Sequence, residues 1–573
     1  MVPALAVALG TLLRVTWVLL VPTRPVGDFA MYLESAAHVV EHGALDPEFV
    51  YMPGYVFLLA LVQALGGGVL AAKLVGAALG GLCTGPIHGI TRRLWGDRPA
   101  LAAALLYAFW PAGIAVTSVT GTDLPTAVAV VTAAWCLARW GASRPLLAAL
   151  LFGLVMGAAA WMRAVALPLA ALAAVYFRAQ GLPWRRVVRY TAVGCLAAAL
   201  VLAPWAVRNR LRYGETFITD SHGGLTALVG ANPDTDGAYS RSLNRIFRET
   251  SGYVLLAEPH READRAAYAI ARDWTRFEPV YAAALVATKA GRLLGSQEPL
   301  LYWPIYRQGV LPGRTLGWFE SHRRAVEGVT EAFWWLLAGA GAAGLGLALA
   351  RRSWPALALL PLPLGLVGIY ALFFAEARYQ LPIVVFLFPP AGAALVWVAE
   401  SVRARGVRRP EVVAVAVALA LVFAGCPALT WAAARLRDGH RWAAHVCHVG
   451  GKAVVCKWRR QGGPSGIRGV WNGLGIEPGK AARAELPVAA GALRVRAELD
   501  LASVGGASGV AVLQAGPATV EIPMERLEGE SRAGRTVPVT LEVAHPGGPL
   551  VLTLSARGQG PRVWLGDLRI EGP

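Results

Sequence analysis

Apolar positions along the chain fall into twelve blocks, at about 2–22, 53–66, 69–91, 99–118, 124–140, 145–162, 164–178, 190–207, 331–350, 354–374, 380–399 and 411–435. A helix needs about 20 apolar residues to cross a bilayer. The block at 53–66 is too short and reads as an interfacial or re-entrant helix; the others read as spans. Short basic loops lie between them, at Arg92–Arg98, Arg139–Arg144, Arg178–Arg189, Arg351–Arg352 and Arg403–Arg409. Cytoplasmic loops collect Lys and Arg. Placing all five loops inside gives about 11 transmembrane helices, the N-terminus inside and the C-terminus outside. The polar segments 23–52, 119–123 and 208–330, the turn Glu376–Tyr379 and everything after 436 then share the outer face.

From about 465 the period changes. ALRVRAELDL, GVAVLQA, TVEIPM, TVPVTLEVA, LVLTLSA and RVWLGDLRI alternate apolar and polar residues between Gly and Pro turns, the signature of half-buried strands. The expected fold class is thus a polytopic α-helical membrane protein with a C-terminal all-β, sandwich-like or jelly-roll-like, extracytoplasmic domain. The expected divisions are a transmembrane domain 1–436 with outer loops 23–52 and 208–330, a linker 437–464 and a β-domain 465–573. The β-domain holds no cluster of catalytic residue types; it reads equally as a binding module for carbohydrate and as a structural cap.

Composition narrows the class. Of 573 residues, 56% are hydrophobic and only 16% charged, against roughly a quarter charged in a soluble protein. That excludes a disordered chain, a small disulfide scaffold and an ordinary cytosolic enzyme. The net charge of +18 comes from 54 Lys and Arg against 36 Asp and Glu, and only five of the basic residues are Lys. In a membrane protein this excess faces cytoplasm and anionic lipid; no nucleic-acid-binding module accompanies it. The N-terminus lacks a basic leader region and reads as an uncleaved first helix, in which Arg14 either snorkels or faces the bundle interior. Cys83, Cys136, Cys195 and Cys426 lie in apolar segments and read as core residues. His440, His445, Cys447, His448 and Cys456 match no strong zinc spacing; in an oxidising compartment a Cys447–Cys456 disulfide is the better reading.

Candidate chemistry begins at Asp28, where the chain leaves the first span. A partly desolvated carboxylate there is suited to act as a base; the local alternative is a cap for the following helix. The motifs GDFAMYLESA, YMPGYVFLLAL, TRRLWGD, GTDLPT, GLVMGAAAWMRAVALPLA, APWAVRNRLRYGETFITDSHGGLTALVGANPDTDGAY and EARYQLPIVVFLFPPAG occur in that order from about 27 to 400. This ordered series resembles the GT-C superfamily of membrane glycosyltransferases, in its bacterial protein-mannosyltransferase-like and aminoarabinose-transferase-like branch. The tail lies outside the resemblance.

The resemblance implies a polyprenyl-phosphate sugar donor, transfer on the outer face of the cytoplasmic (inner) membrane, usually with inversion, and an acidic residue of the first outer loop as general base. Carried onto this chain, that base is Asp28. The acid pair often found there is absent, since Gly27 precedes Asp28 and Phe29 follows it. A lipid-phosphate leaving group calls for guanidinium forks. Arg378 beside Tyr379 is the first choice, with Arg163, which breaks an apolar helix pair, and Arg208, which opens the large loop; the alternative for each is snorkelling. Asp123 is a candidate second acid, positioning the sugar or holding a metal, or else a helix cap. His222, Asn232 and Asp234 lie in a Gly-rich stretch suited to substrate positioning, and Asp234 reads best as a turn residue. No cofactor is required; a divalent cation shared by Asp28 and Asp123 stays open. Expected partners are the lipid donor, an acceptor lipid, polysaccharide or protein, and membrane lipid. Two other classes compete: a transporter or flippase of lipid-linked sugars, and a non-catalytic envelope polysaccharide assembly protein. A transporter often shows repeated halves, and no repeat is present.

Overall fold

A computed structural model describes residues 2–572 except 47–48, 233–234, 236, 240–242, 244–246, 248–259, 278, 405–407, 439–441, 462–466, 471–472, 502–505 and 534. Asp234 and His440 thus lie outside the described residues. The chain forms two compact units, one of residues 1–223 with 289–429, the other of 224–288 with 430–573.

The first unit is a helical membrane domain. Among the described residues seven helices are long and apolar enough to cross a membrane, at 69–95, 145–162, 184–213, 323–350, 354–372, 377–404 and 409–436. Asp97–Ala108 and Pro111–Ser118 form an eighth candidate, bent by 56°. Apolar length alone therefore does not reach the expected eleven among the described residues. Three apolar blocks are shorter: Ala4–Leu20, Gly54–Ala64 and Ala164–Ala179. The second keeps the short helix expected of it. The third was expected to span; it instead runs as a 3-10 helix over Ala164–Leu172, with Pro168 inside, before one α-helical stretch at Ala173–Ala179. Proline removes a backbone donor and crowds the preceding turn, which breaks a helix.

Small residues set the helix spacing. A methyl group added at Gly153 would meet the Gly194 carbonyl oxygen at 2.1 Å, so the helices Pro145–Met162 and Trp184–Tyr213 touch backbone to backbone there. Arg14 faces the interior and is fully buried. Its guanidinium donates to the carbonyls of Gly10, Tyr107 and Ala108 and lies 4.6 Å from the Tyr107 ring. It thereby caps the carbonyls of the last two residues of the helix Asp97–Ala108.

In the second unit eleven strands join in one sheet: β1 (Trp442–Val449), β2 (Lys452–Gln461), β3 (Ile467–Val470), β4 (Gly473–Ile476), β5 (Lys480–Val488), β6 (Gly491–Leu501), β7 (Ser508–Ala515), β8 (Ala518–Pro523), β9 (Val537–His545), β10 (Gly548–Gln559) and β11 (Val563–Glu571). All six strand runs read from the sequence are strands. The stretch 437–464 is not a linker: it supplies β1 and β2, and β1 pairs in parallel with β11 and antiparallel with β2. Burial alternates along β6 and β9, which gives the domain one packed face. Cys447 and Cys456 form a disulfide between β1 and β2.

Candidate functional site

Four interruptions in the helical unit bring the site together. Asp28 is the first residue of the helix Asp28–His42, and Asp123 the first of Asp123–Trp140. Neither helix has a side-chain cap, so the capping alternative does not describe either aspartate. A helix N-terminus favours an ionised carboxylate. Arg163 ends the helix Pro145–Met162 in extended conformation, φ −150° and ψ 122°, and this turns its side chain back toward Asp123. Arg378 lies in the 3-10 turn Ala377–Gln380. That turn is tied down from behind: Lys289 Nζ donates to the Phe373 carbonyl at 2.6 Å and Arg292 to that of Ala375 at 3.2 Å, while Gln380 donates to the carbonyls of Arg292 and Ser296.

The result is a chain of ion pairs. Arg378 Nη2 donates to Asp28 Oδ2 at 3.0 Å. Its Nε lies 3.1 Å from Glu376 Oε2 and 3.9 Å from Asp123 Oδ2. Arg163 Nη1 donates to Asp123 Oδ1. The Arg163 guanidinium also sits 4.1 Å from the Tyr379 ring, which stacks on Tyr370 at 4.6 Å. The Asp28 side chain is 42% exposed whereas that of Asp123 is 7% exposed, so water reaches only the first of the two acids freely. Burial pushes the phenols of Tyr32 and Tyr51 up, and the nearby Asp28 carboxylate adds to both shifts.

Phe29, Gly121, Asp123, Leu300, Trp303 and Arg378 border a cavity of about 20 Å³. A water molecule needs about 10–15 Å³ measured this way, so the cavity admits water but not a sugar ring.

Asp28, Asp123, Arg163, Arg378 and Tyr379 are thus brought together. His222 stands one layer away, with its ring 4.3 Å from Tyr51 and its Nδ1 3.5 Å from Asp220. Arg208 packs elsewhere in the unit, over Trp205 and Tyr213, and donates to Asn209. Asn232 belongs to the second unit, where its amide donates to the Leu228 and Val229 carbonyls of the helix Gly223–Gly230 that it follows. Glu376, Trp303 and Arg307 were not singled out by the sequence. Glu376 had a signal in its spacing, two residues before Arg378; Trp303 lies in the short helical turn Tyr302–Tyr306 and Arg307 directly after it, in a stretch whose sequence carries no recognisable pattern.

A cation between Asp28 and Asp123 does not fit this arrangement. The Arg378 guanidinium faces both carboxylates, and Arg163 takes the other oxygen of Asp123.

Residues 49–207 match the family model described as dolichyl-phosphate-mannose-protein mannosyltransferase. The match covers less than a third of the chain. The matched segment contains Asp123 and Arg163, while Asp28 and Arg378 fall on either side of it. The comparison with curated proteins returned no match. Among solved structures, the Archaeoglobus fulgidus oligosaccharyltransferase with zinc and sulfate aligns at 16% identity and TM-score 0.43, over 75% of this chain and 53% of that one. This chain therefore spans about half of that protein. ArnT from Cupriavidus metallidurans bound to undecaprenyl phosphate aligns at 16% identity and TM-score 0.33, over 71% and 80%. Arabinosyltransferase EmbB from Mycobacterium smegmatis aligns at 12% and 0.27, over 100% and 64%. Likeness at these TM-scores decides nothing about the reaction.

Proposed function

We propose that the protein transfers a sugar from a polyprenyl-phosphate donor to an acceptor hydroxyl on the outer face of the cytoplasmic membrane, with Asp28 as general base. The observation that carries this reading is the contact of a half-exposed carboxylate, Asp28, with a buried guanidinium, Arg378, at 3.0 Å. A base and a phosphate-binding fork share one site.

The order of events follows from that contact. While Arg378 Nη2 donates to Asp28 Oδ2, that oxygen is occupied. An arriving donor phosphate competes for the same fork and frees Asp28. Asp28 then takes the proton of the acceptor hydroxyl as its oxygen bonds to the anomeric carbon. The bond from that carbon to the phosphate oxygen breaks, and the bonding pair leaves with the lipid phosphate. One displacement inverts the anomeric centre. Arg378, backed by Arg163 through Asp123, meets the charge that develops on the phosphate. Phe29 and Trp303, whose rings meet edge-to-face at 5.0 Å, both border the cavity.

The test is full-length protein in lipid nanodiscs with a panel of labelled polyprenyl-phosphate sugars and cell-envelope acceptors, with products read by mass spectrometry. A glycosidic product is expected. Turnover is expected to persist in EDTA, because guanidiniums already face both carboxylates. Label crossing a vesicle bilayer with the sugar–phosphate bond intact would sink the enzyme reading in favour of a flippase.

A further inference from the structure

The site as assembled has a charge deficit. Asp28, Asp123 and Glu376 set three carboxylates against the two guanidiniums of Arg163 and Arg378. The group carries one net negative charge before any phosphate arrives. A second anion placed against Arg378 alone would meet three fixed negative charges at close range, and in a partly buried site such repulsion is weakly screened. Another cation is needed for an anionic ligand to bind.

Arg307 answers this. Its guanidinium lies 4.1 Å from the centroid of the Trp303 ring, and that of Arg378 lies 5.0 Å from the same ring. Trp303 thus lies against both guanidiniums and lines the cavity. Arg307 also lies against the backbone beside the base: a methyl group at Gly27, the residue before Asp28, would stand 2.9 Å from Arg307 Nη2. Gly27 has φ +59°, a conformation side chains resist, and its missing side chain is what lets the guanidinium approach. The loop is pinned there because Arg24 N donates to the Val310 carbonyl at 2.7 Å. Among the described residues no carboxylate lies within ion-pair distance of Arg307, unlike Arg163 and Arg378.

We propose that Arg307 is the uncompensated cation that binds the phosphate of the lipid donor, held in place by stacking on Trp303. This rests on the donor reading above. It makes Arg378 a shared residue, bridging phosphate and base, and Arg307 the residue that makes the site attractive to an anion. As the sugar leaves, a singly charged phosphodiester becomes a monoester carrying nearly two charges, so the same guanidinium also steadies the departing group.

The experiment measures binding of a short-chain polyprenyl phosphate to full-length protein in nanodiscs, with inorganic phosphate as a second probe. Arg307→Ala is expected to weaken lipid-phosphate binding at least about tenfold, the scale of a charge-assisted hydrogen bond, and to raise the donor KM more than it lowers kcat. Arg307→Lys, which keeps the charge without the fork, should fall between; Arg314→Ala, an exposed arginine outside the cluster, should match wild type. Unchanged affinity in folded Arg307→Ala protein, checked by thermal unfolding, overturns the assignment while leaving the transferase reading standing. Wild-type protein that ignores polyprenyl phosphate overturns both. Equal affinity for inorganic phosphate, lost in Arg307→Ala, overturns the lipid donor in favour of a free-phosphate site. If Arg307→Ala does not fold, the Arg307→Lys affinity decides: a value equal to wild type overturns the assignment.

Discussion

Replacing Asp28 by Asn is expected to lower sugar transfer by about 10²- to 10⁴-fold, the usual contribution of a positioned general base, while donor phosphate binding persists. The substitution keeps the size of the side chain and removes only its charge and basicity. Asp28 is the exposed end of the ion-pair chain, at 42% against 7% for Asp123, so the loss of its charge is not expected to unfold the unit. With Asp28 neutral, Arg378 has one fewer internal partner, and affinity for polyprenyl phosphate is expected to stay level or rise. The paired measurement, product formation beside lipid-phosphate affinity, separates a chemical role from a structural one. Near-normal turnover in the Asn variant would remove Asp28 from the role of base, and a parallel loss of binding would recast it as a structural residue.

Arg163→Met is expected to act mainly on stability. Arg163 and Asp123 form an ion pair whose side chains are 19% and 7% exposed. Removing the cation strands a buried carboxylate; breaking such a pair typically costs about 3–5 kcal/mol. Arg378 Nε, 3.9 Å from the other Asp123 oxygen, recovers a part of that. The double variant Arg163→Met, Asp123→Asn should be more stable than Arg163→Met alone, since it removes the stranded charge along with its partner. Thermal unfolding of purified variants reads the difference, and a non-additive cycle is the signature of direct coupling. A single variant as stable as wild type would show that the pair does not hold the two helix ends together.

Fold and site were legible to different depths. Strands β6 to β11 show in the sequence because alternation at a period of two records which face is buried, and that face is local information. β1 and β2 were hidden behind a polar, Cys- and His-containing stretch. What makes β1 a strand is its parallel partner β11, with His448 opposite Arg569, a pairing that no local pattern announces. The block at 164–178 was apolar enough to suggest a span, yet its hydropathy could not report the path the chain takes around Pro168. Asp28, Asp123, Arg163 and Arg378 were each legible as charged residues where apolar helices stop. Their convergence was not, because Asp28 and Arg378 stand 350 residues apart.

The residue types themselves determined that this chain is a multi-helix membrane protein with a β-rich end. They also marked acids and arginines at the helix ends, since long apolar runs and alternating runs each admit few foldings and a charge among them is costly without a use. Only the tertiary structure decided which charges neutralise one another and which is left over. Pairing depends on distances of a few ångströms between segments far apart in the chain, and Arg307, which among the described residues has no carboxylate within ion-pair distance, lies in a stretch whose sequence carries no period.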